Sequence, residues 1–192
     1  GRLLNELEQL NLRKNTLIIF ASDNGAAIQA PIKILNCNAG FKGRKGTLYE
    51  GGIRVPFIVN QPGMVPIQTL DNLIYFPDMM PTLAALAKGT KHLPKQINGI
   101  NILPLFYGKQ VDTDNRLLYW EFPGKQRAAR KGDWKCVTIH PNQPLELYNL
   151  KEDPEETNNL AKKYPRRVKE FDEEMQRMHI PTPNWPQPGE QF

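Results

Sequence analysis

Thr16-Leu17-Ile18-Ile19-Phe20-Ala21-Ser22-Asp23-Asn24-Gly25 is the stretch that decides the fold. Residues 16–21 are a run with no polar alternation. A strand apolar on both faces belongs inside a sheet that is covered on both sides. Just before it, Leu3, Leu4, Leu7 and Leu10 recur at helical spacing. Arg13 and Lys14 follow near the helix end, where cations suit the helix dipole. A helix feeding a buried strand is an α/β signature.

Working outward, residues 55–60 form a second short apolar strand, closed by the turn signal Gln61-Pro62-Gly63. Asp78 can cap a helix with Pro81 in its first turn. Leu83, Ala84, Leu86 and Ala87 would fill that helix's inner face, and Gly89 would end it. After about residue 110 the pattern changes. Residues 117–122, 126–130, 134–139 and 145–150 read as four short strands, with Lys131-Gly132-Asp133 turning the middle two into a hairpin. A helix from about Pro165 carries Val168, Phe171, Met175 and Met178 as one apolar stripe suited to packing on that sheet. The expected fold is therefore α/β. Residues 1–110 belong to a mixed sheet with flanking helices, and residues 111–192 form a small antiparallel sheet packed on a long helix with a proline-rich tail. That tail is extended unless Trp185 docks. Strands without partners in the first part would leave exposed edges and apolar surface.

The 192 residues carry a formal net charge of +5, which suits an anionic substrate or nucleic acid equally well. Lys and Arg are scattered among Asp and Glu, as in Arg166-Arg167 beside Glu170, which is the pattern of solvated helix faces and points away from nucleic acid. No apolar run approaches the roughly 20 residues needed to span a bilayer, so no membrane partner is expected. Cys37 and Cys136 lie in no C-x-x-C pattern and have no histidine at metal-ligand spacing. A disulfide between them stays open, while Cys136, in a strand-like run, reads as a small core residue.

Two segments carry chemistry. Asp23-Asn24-Gly25 follows the first buried strand, and ligands of parallel α/β sheets bind outside the carboxyl ends of strands. Adjacent Asp and Asn offer hard oxygen donors suited to Ca²⁺ or Mg²⁺, although D-N-G is also a common turn sequence. The second segment is Gly43-Arg44-Lys45-Gly46-Thr47-Leu48-Tyr49-Glu50-Gly51-Gly52-Ile53-Arg54-Val55-Pro56. A glycine-rich loop lets backbone approach an anion and sets a lysine beside it. Its spacing is not that of a P-loop.

In this order, the two segments resemble the sulfatase family of the alkaline phosphatase superfamily. The resemblance continues through Gln61-Pro62-Gly63, Pro77-Asp78-Met79-Met80-Pro81-Thr82-Leu83 and Asn98-Gly99-Ile100. It extends to Ala129-Arg130-Lys131-Gly132-Asp133-Trp134-Lys135, Glu146-Leu147-Tyr148-Asn149-Leu150 and Asp153-Pro154-Glu155-Glu156. It implies an alkaline-phosphatase-like fold and a sulfuric ester hydrolase acting on aryl or carbohydrate sulfates. Asp23 and Asn24 match calcium ligands, and Lys45 matches the lysine that contacts the sulfate. Gly46, Glu50, Gly51, Gly52 and Arg54 match residues that hold the loop's shape. The family's C-terminal subdomain leans near the cleft, so Lys125, Gln126 and Arg127 become candidate substrate contacts. Trp120 and Phe122 alternate with Glu121 and are expected to point into the sheet–helix core.

The family's nucleophile is a formylglycine made from Cys or Ser in C-x-[PA]-S-R, and neither Cys37 nor Cys136 has that context. The family's paired N-terminal aspartates, its Lys-x-His segment and its further active-site histidine have no match either. His92, His140 and His179 stand in other contexts. The resemblance therefore implies a C-terminal part of such an enzyme, inactive alone, whose partner is the missing N-terminal half. It suggests a periplasmic, secreted or lysosomal setting. A phosphoesterase or phosphonate hydrolase of the same superfamily, and a non-catalytic binding or assembly module, remain alternatives.

Overall fold

The computed structural model describes residues 1–27, 29–30, 32–122, 126–140, 142–184, 186 and 191, without the side chains of residues 32 and 33. The elements are α1 (Arg2–Gln9), β1 (Ile18–Ala21), α2 (Ile32–Leu35), α3 (Glu50–Ile53), β2 (Phe57–Asn60), α4 (Met79–Leu86), α5 (Leu103–Phe106), β3 (Leu117–Phe122), β4 (Gln126–Lys131), β5 (Trp134–Thr138), β6 (Glu146–Asn149) and α6 (Pro165–Met178). They group into two compact units. One comprises Gly1–Ala21 with Pro56–Asp114, and the other comprises Ser22–Val55 with Asn115–Phe192. None of the described helices is long and apolar enough to cross a membrane.

In the first unit β1 pairs antiparallel with β2, with Ile19 opposite Val59 and Phe20 opposite Ile58. Side chains alternate across a strand, so the two pairs face opposite ways. Ile19, Val59 and Phe57 pack with buried Ile102, Leu105 and Phe106. Phe20 and Ile58 are 60% and 58% exposed. Among the described residues of this unit β1 is thus covered on one face only, unlike the doubly covered strand its composition predicts: the ladder has two strands, and one apolar layer packs on it.

The leucine row of α1 is likewise bare: Leu3, Leu4 and Leu10 are all exposed. In α4 the buried residues are Pro81 and Thr82, while Leu83 and Leu86 are exposed. Polar clamps decide this orientation. Buried Asp78 accepts from the backbone N–H of Tyr75 at 3.0 Å and of Ile100 at 2.9 Å, and Thr82 accepts from Ile102 N–H at 2.9 Å. Asp78 therefore ties the chain at Ile100 to the helix entry and does not bond the first turn of α4. The helix ends at Leu86, and Lys88 takes the left-handed conformation expected of Gly89.

The second unit holds the four-stranded sheet β3-β4-β5-β6, antiparallel throughout and in sequence order. Its strands match the four expected from turn spacing. One face carries Ala129, Cys136 and Leu147, packed by Phe171 and Met175 of α6, with Val168 beside them. The opposite face carries Ala128, Val137 and Tyr148, covered by Leu48 and Tyr49 and flanked by Ile53 and Trp120. Segment 41–53 thus forms a third layer that the sequence pattern does not announce. Trp120 belongs to that layer. Its neighbours Tyr119 and Glu121 face α6, where Glu121 meets Nδ1 of His179 at 2.6 Å. Trp120 therefore points away from the sheet–helix core, contrary to expectation, and Phe122 is partly exposed. Cys37 and Cys136 are free thiols. Cys136 is buried, and burial pushes its thiol up to about 12. Trp185 lies outside the described residues.

A buried ion network joins the loop layer to the sheet. Lys135, fully buried in β5, places Nζ 2.9 Å from Glu50 Oε1 and 2.9 Å from Glu156 Oε1. Glu156 Oε2 accepts from the Glu50 backbone N–H at 2.6 Å. Arg54 and Arg130 stand 3.7 Å from Glu50 Oε2. Removing one partner from such a network strands the others in a medium that solvates them poorly. Lys135→Met should cost about 3–5 kcal/mol in urea denaturation. Adding Glu156→Gln should recover part of that loss, because it removes one stranded charge while keeping an acceptor for Glu50 N–H.

Candidate active site

Asp23, Asn24 and Lys45 all lie in the second unit. Ser22 Oγ donates to the Asn24 carbonyl at 2.9 Å, and Asn24 Nδ2 donates to the Gly25 carbonyl at 3.0 Å. Gly25 N–H then donates to the Gly52 carbonyl at 2.9 Å. This approach is so close that a Cβ on Gly25 would stand 1.8 Å from the Gly51 oxygen. The glycines of Glu50-Gly51-Gly52 serve the same crossing. A Cβ on Gly52 would lie 2.1 Å from the Thr47 oxygen, and one on Gly51 would lie 2.6 Å from the Lys42 oxygen. Side chains of any size are excluded where the D-N-G turn, α3 and the 41–47 loop meet.

Ala26 links the two segments. Its carbonyl accepts from Lys45 N–H at 2.9 Å, and its N–H donates to Asn38 Oδ1 at 3.3 Å. Asn38 Nδ2 in turn donates to the Gly43 carbonyl. Nearly buried Asn38 therefore braces both segments. Nothing in its sequence context, Cys37-Asn38-Ala39, marks it for that task. Within the loop, Thr47 Oγ1 donates to the Arg44 carbonyl at 2.9 Å. The Lys45 side chain is exposed, as is that of Asp23.

The loop's other lysine is committed elsewhere. Lys42 Nζ lies 3.0 Å from the Tyr148 hydroxyl, 3.4 Å from Glu146 Oε2 and 4.0 Å from the Tyr49 ring centroid. Tyr49 and Tyr148 both donate to Glu146 Oε2, at 2.7 and 2.6 Å. Burial pushes the Glu146 carboxyl up, but the two phenol hydrogen bonds and the Lys42 charge outweigh it and hold the carboxyl below its ordinary value. Burial and then the Glu146 hydrogen bonds push both phenols up, so they stay protonated donors.

Gln126 opens β4 and spends both ends of its amide on the loop. Nε2 donates to the Gly46 carbonyl at 2.9 Å, and Oε1 accepts from Leu48 N–H at 3.3 Å. Arg127 turns toward α6 and meets Asp172 at 3.4 Å. Lys125 lies outside the described residues. Asp23 and Asn24 fit a calcium shell as two adjacent oxygen donors, fewer than the roughly six to eight that Ca²⁺ takes. Among the described residues no group of three or more His, Cys, Asp or Glu could complete it.

The Sulfatase family model matches residues 1–90. A sulfatase of Formosa agariphila is 33% identical over 190 residues, spanning 86% of this chain and 34% of that protein. An N-acetylgalactosamine-6-O-sulfatase of Bacteroides thetaiotaomicron is 30% identical over 195 residues, spanning 90% of this chain and 38% of that protein. A structure solved in work on the metabolism of multiple glycosaminoglycans by Bacteroides thetaiotaomicron superposes with a TM-score of 0.81 at 30% identity, covering 92% of this chain and 41% of that one. The chain belongs to the sulfatase family and has the alkaline-phosphatase-like α/β fold of that family. It spans about a third to two fifths of the length of these relatives.

The lowered Glu146 carboxyl has a pH consequence. The folded form releases its proton more readily than the unfolded form. The associated stability is therefore present above the ordinary carboxylate range and fades as pH falls through that range toward the folded value. Glu146→Gln should be less stable at neutral pH, and its denaturation midpoint should change less than that of the parent between about pH 6 and pH 3.

Proposed function

We propose that this chain is part of an enzyme that hydrolyses sulfate esters, releasing an alcohol and inorganic sulfate. The backbone bond from Lys45 to Ala26 carries this assignment. It sets the ammonium-bearing loop two residues from the Asp23-Asn24 oxygen donors. As the S–O bond breaks, negative charge grows on the leaving oxygen and spreads over the sulfuryl oxygens. Preorganised positive charge beside them lowers the barrier. Lys45 supplies a compact point charge suited to one sulfuryl oxygen. Asp23 and Asn24 would hold part of the shell of a Ca²⁺, which contributes Lewis-acid charge when bound. The formylglycine nucleophile and the remaining calcium ligands belong to sequence outside this chain, so the chain by itself would not turn over. A sulfated carbohydrate is the substrate class that fits best, given a relative named N-acetylgalactosamine-6-O-sulfatase and a solved structure from work on glycosaminoglycan metabolism.

Kinetics on the full-length protein test this. Lys45→Ala should lower turnover of an aryl sulfate roughly 10²- to 10³-fold while leaving the melting temperature nearly unchanged. Lys45→Arg should restore little, since the planar guanidinium needs different room. Near-normal rates in both variants would remove Lys45 from the chemistry. Calorimetric titration gives a readout independent of turnover: Asp23→Ala should weaken calcium binding in the full-length protein. The 192-residue chain alone should bind calcium weakly, and micromolar affinity there would mean its own residues complete the shell.

A further inference from the structure

We infer that Gln126 is a positioning residue for Lys45: its side-chain amide clamps the Gly46 carbonyl and the Leu48 N–H just after the lysine and so fixes where the ammonium-bearing turn sits. This rests on the sulfatase reading above, and it assigns Gln126 a role other than contact with substrate.

Gln126 lies 80 residues along the chain from Gly46, yet its amide bridges the Gly46 carbonyl and the Leu48 N–H. Both ends of the side chain are occupied by backbone, which leaves neither directed at a sugar hydroxyl. On the other flank the N–H of Lys45 is held by Ala26. The turn is thus held from outside at the N–H of Lys45 and at the carbonyl of the next residue. Packing does not do this work at Gly46, where φ is +90° and a Cβ would meet nothing within 4 Å. Glycine in that region has little steric preference of its own; the turn is closed by Thr47 N–H on the Arg44 carbonyl at 3.0 Å, and the Gln126 clamp fixes where that turn sits against the sheet. The clamp itself is well seated. Gln126 stands in the β3–β4 ladder opposite Phe122, and its neighbour Arg127 is tied to Asp172. The task requires a donor and an acceptor on one planar group of the right reach. Glutamine has both, glutamate keeps only the acceptor, and methionine has neither.

The test is a double-mutant cycle on the full-length protein with an aryl sulfate substrate. Gln126→Met should lower kcat about five- to tenfold, the effect of two lost hydrogen bonds at the weak end of their range, with KM within about twofold. Gln126→Glu should also lose rate, because a carboxylate then faces the Gly46 carbonyl, and it substitutes if the methionine variant is poorly folded by thermal melting. In a Lys45→Ala background neither change should lower the rate further, since residues acting through one group are not additive. Equal losses in both backgrounds, a rise in KM alone, or unchanged kinetics would each overturn the inference. If Lys45→Ala is itself silent, the sulfatase role of Lys45 fails first and the clamp fails with it. If Lys45→Ala is crippling and Gln126→Met is silent, the clamp alone fails.

Discussion

An ammonium group with no access to water must have its charge matched, and Lys135 is such a group. Its position in β5 faces the loop layer on the same side as buried Val137, next to buried Cys136. The charge is tolerable because Glu50 arrives from α3 and Glu156 from the turn after β6, each at 2.9 Å. The lysine in turn offsets the burial of both carboxylates, and Arg54 and Arg130 add to this at Glu50, each at 3.7 Å. Burial itself pushes Glu156 upward, and only the Lys135 charge and the Glu50 amide oppose that. Three distant segments are therefore obliged to meet at one point. The Gly51-Gly52 pair that follows Glu50 comes with them and makes room for Gly25. The arrangement of D-N-G against the lysine loop is a consequence of that meeting.

Local signals made some of this legible. The four strands of the second unit and helix α6 follow from turn residues and periodicity, and they appear within a residue or two of the expected bounds. Those signals concern a segment and its immediate neighbours. They fail where the answer belongs to a distant partner. Trp120 alternates with Glu121 in a way that fits packing on α6, but the sheet is covered on both faces, and the tryptophan belongs to the other side. Similarly, an apolar helix or strand announces that it needs cover, not that cover is at hand, and Leu3, Leu4 and Phe20 are exposed here.

At the candidate site, residue types were readable and their bracing was not. D-N-G and the glycine-lysine loop stand out by composition. Asn38 and Lys42 do not, since an asparagine in a loop and a lysine near glycines are ordinary. One usable signal was present: Lys135 in Trp-Lys-Cys-Val-Thr and Glu50 in a run of apolar residues and glycines are charges where burial is expected. A charge inside a buried strand implies an opposite charge brought to it, and pairing the two would have placed segment 41–53 on the sheet.

The separation in sequence between these partners has a consequence during synthesis. The Glu50 amide waits for a carboxylate 106 residues further on, and Gly46 waits for an amide 80 residues further on. At about 5–20 residues per second of translation, the loop is made several seconds before anything exists to hold it. Until the Asp-Pro-Glu-Glu turn leaves the ribosome, the lysine loop of a nascent chain samples many conformations. It settles into one conformation only when the last strand of the small sheet has joined.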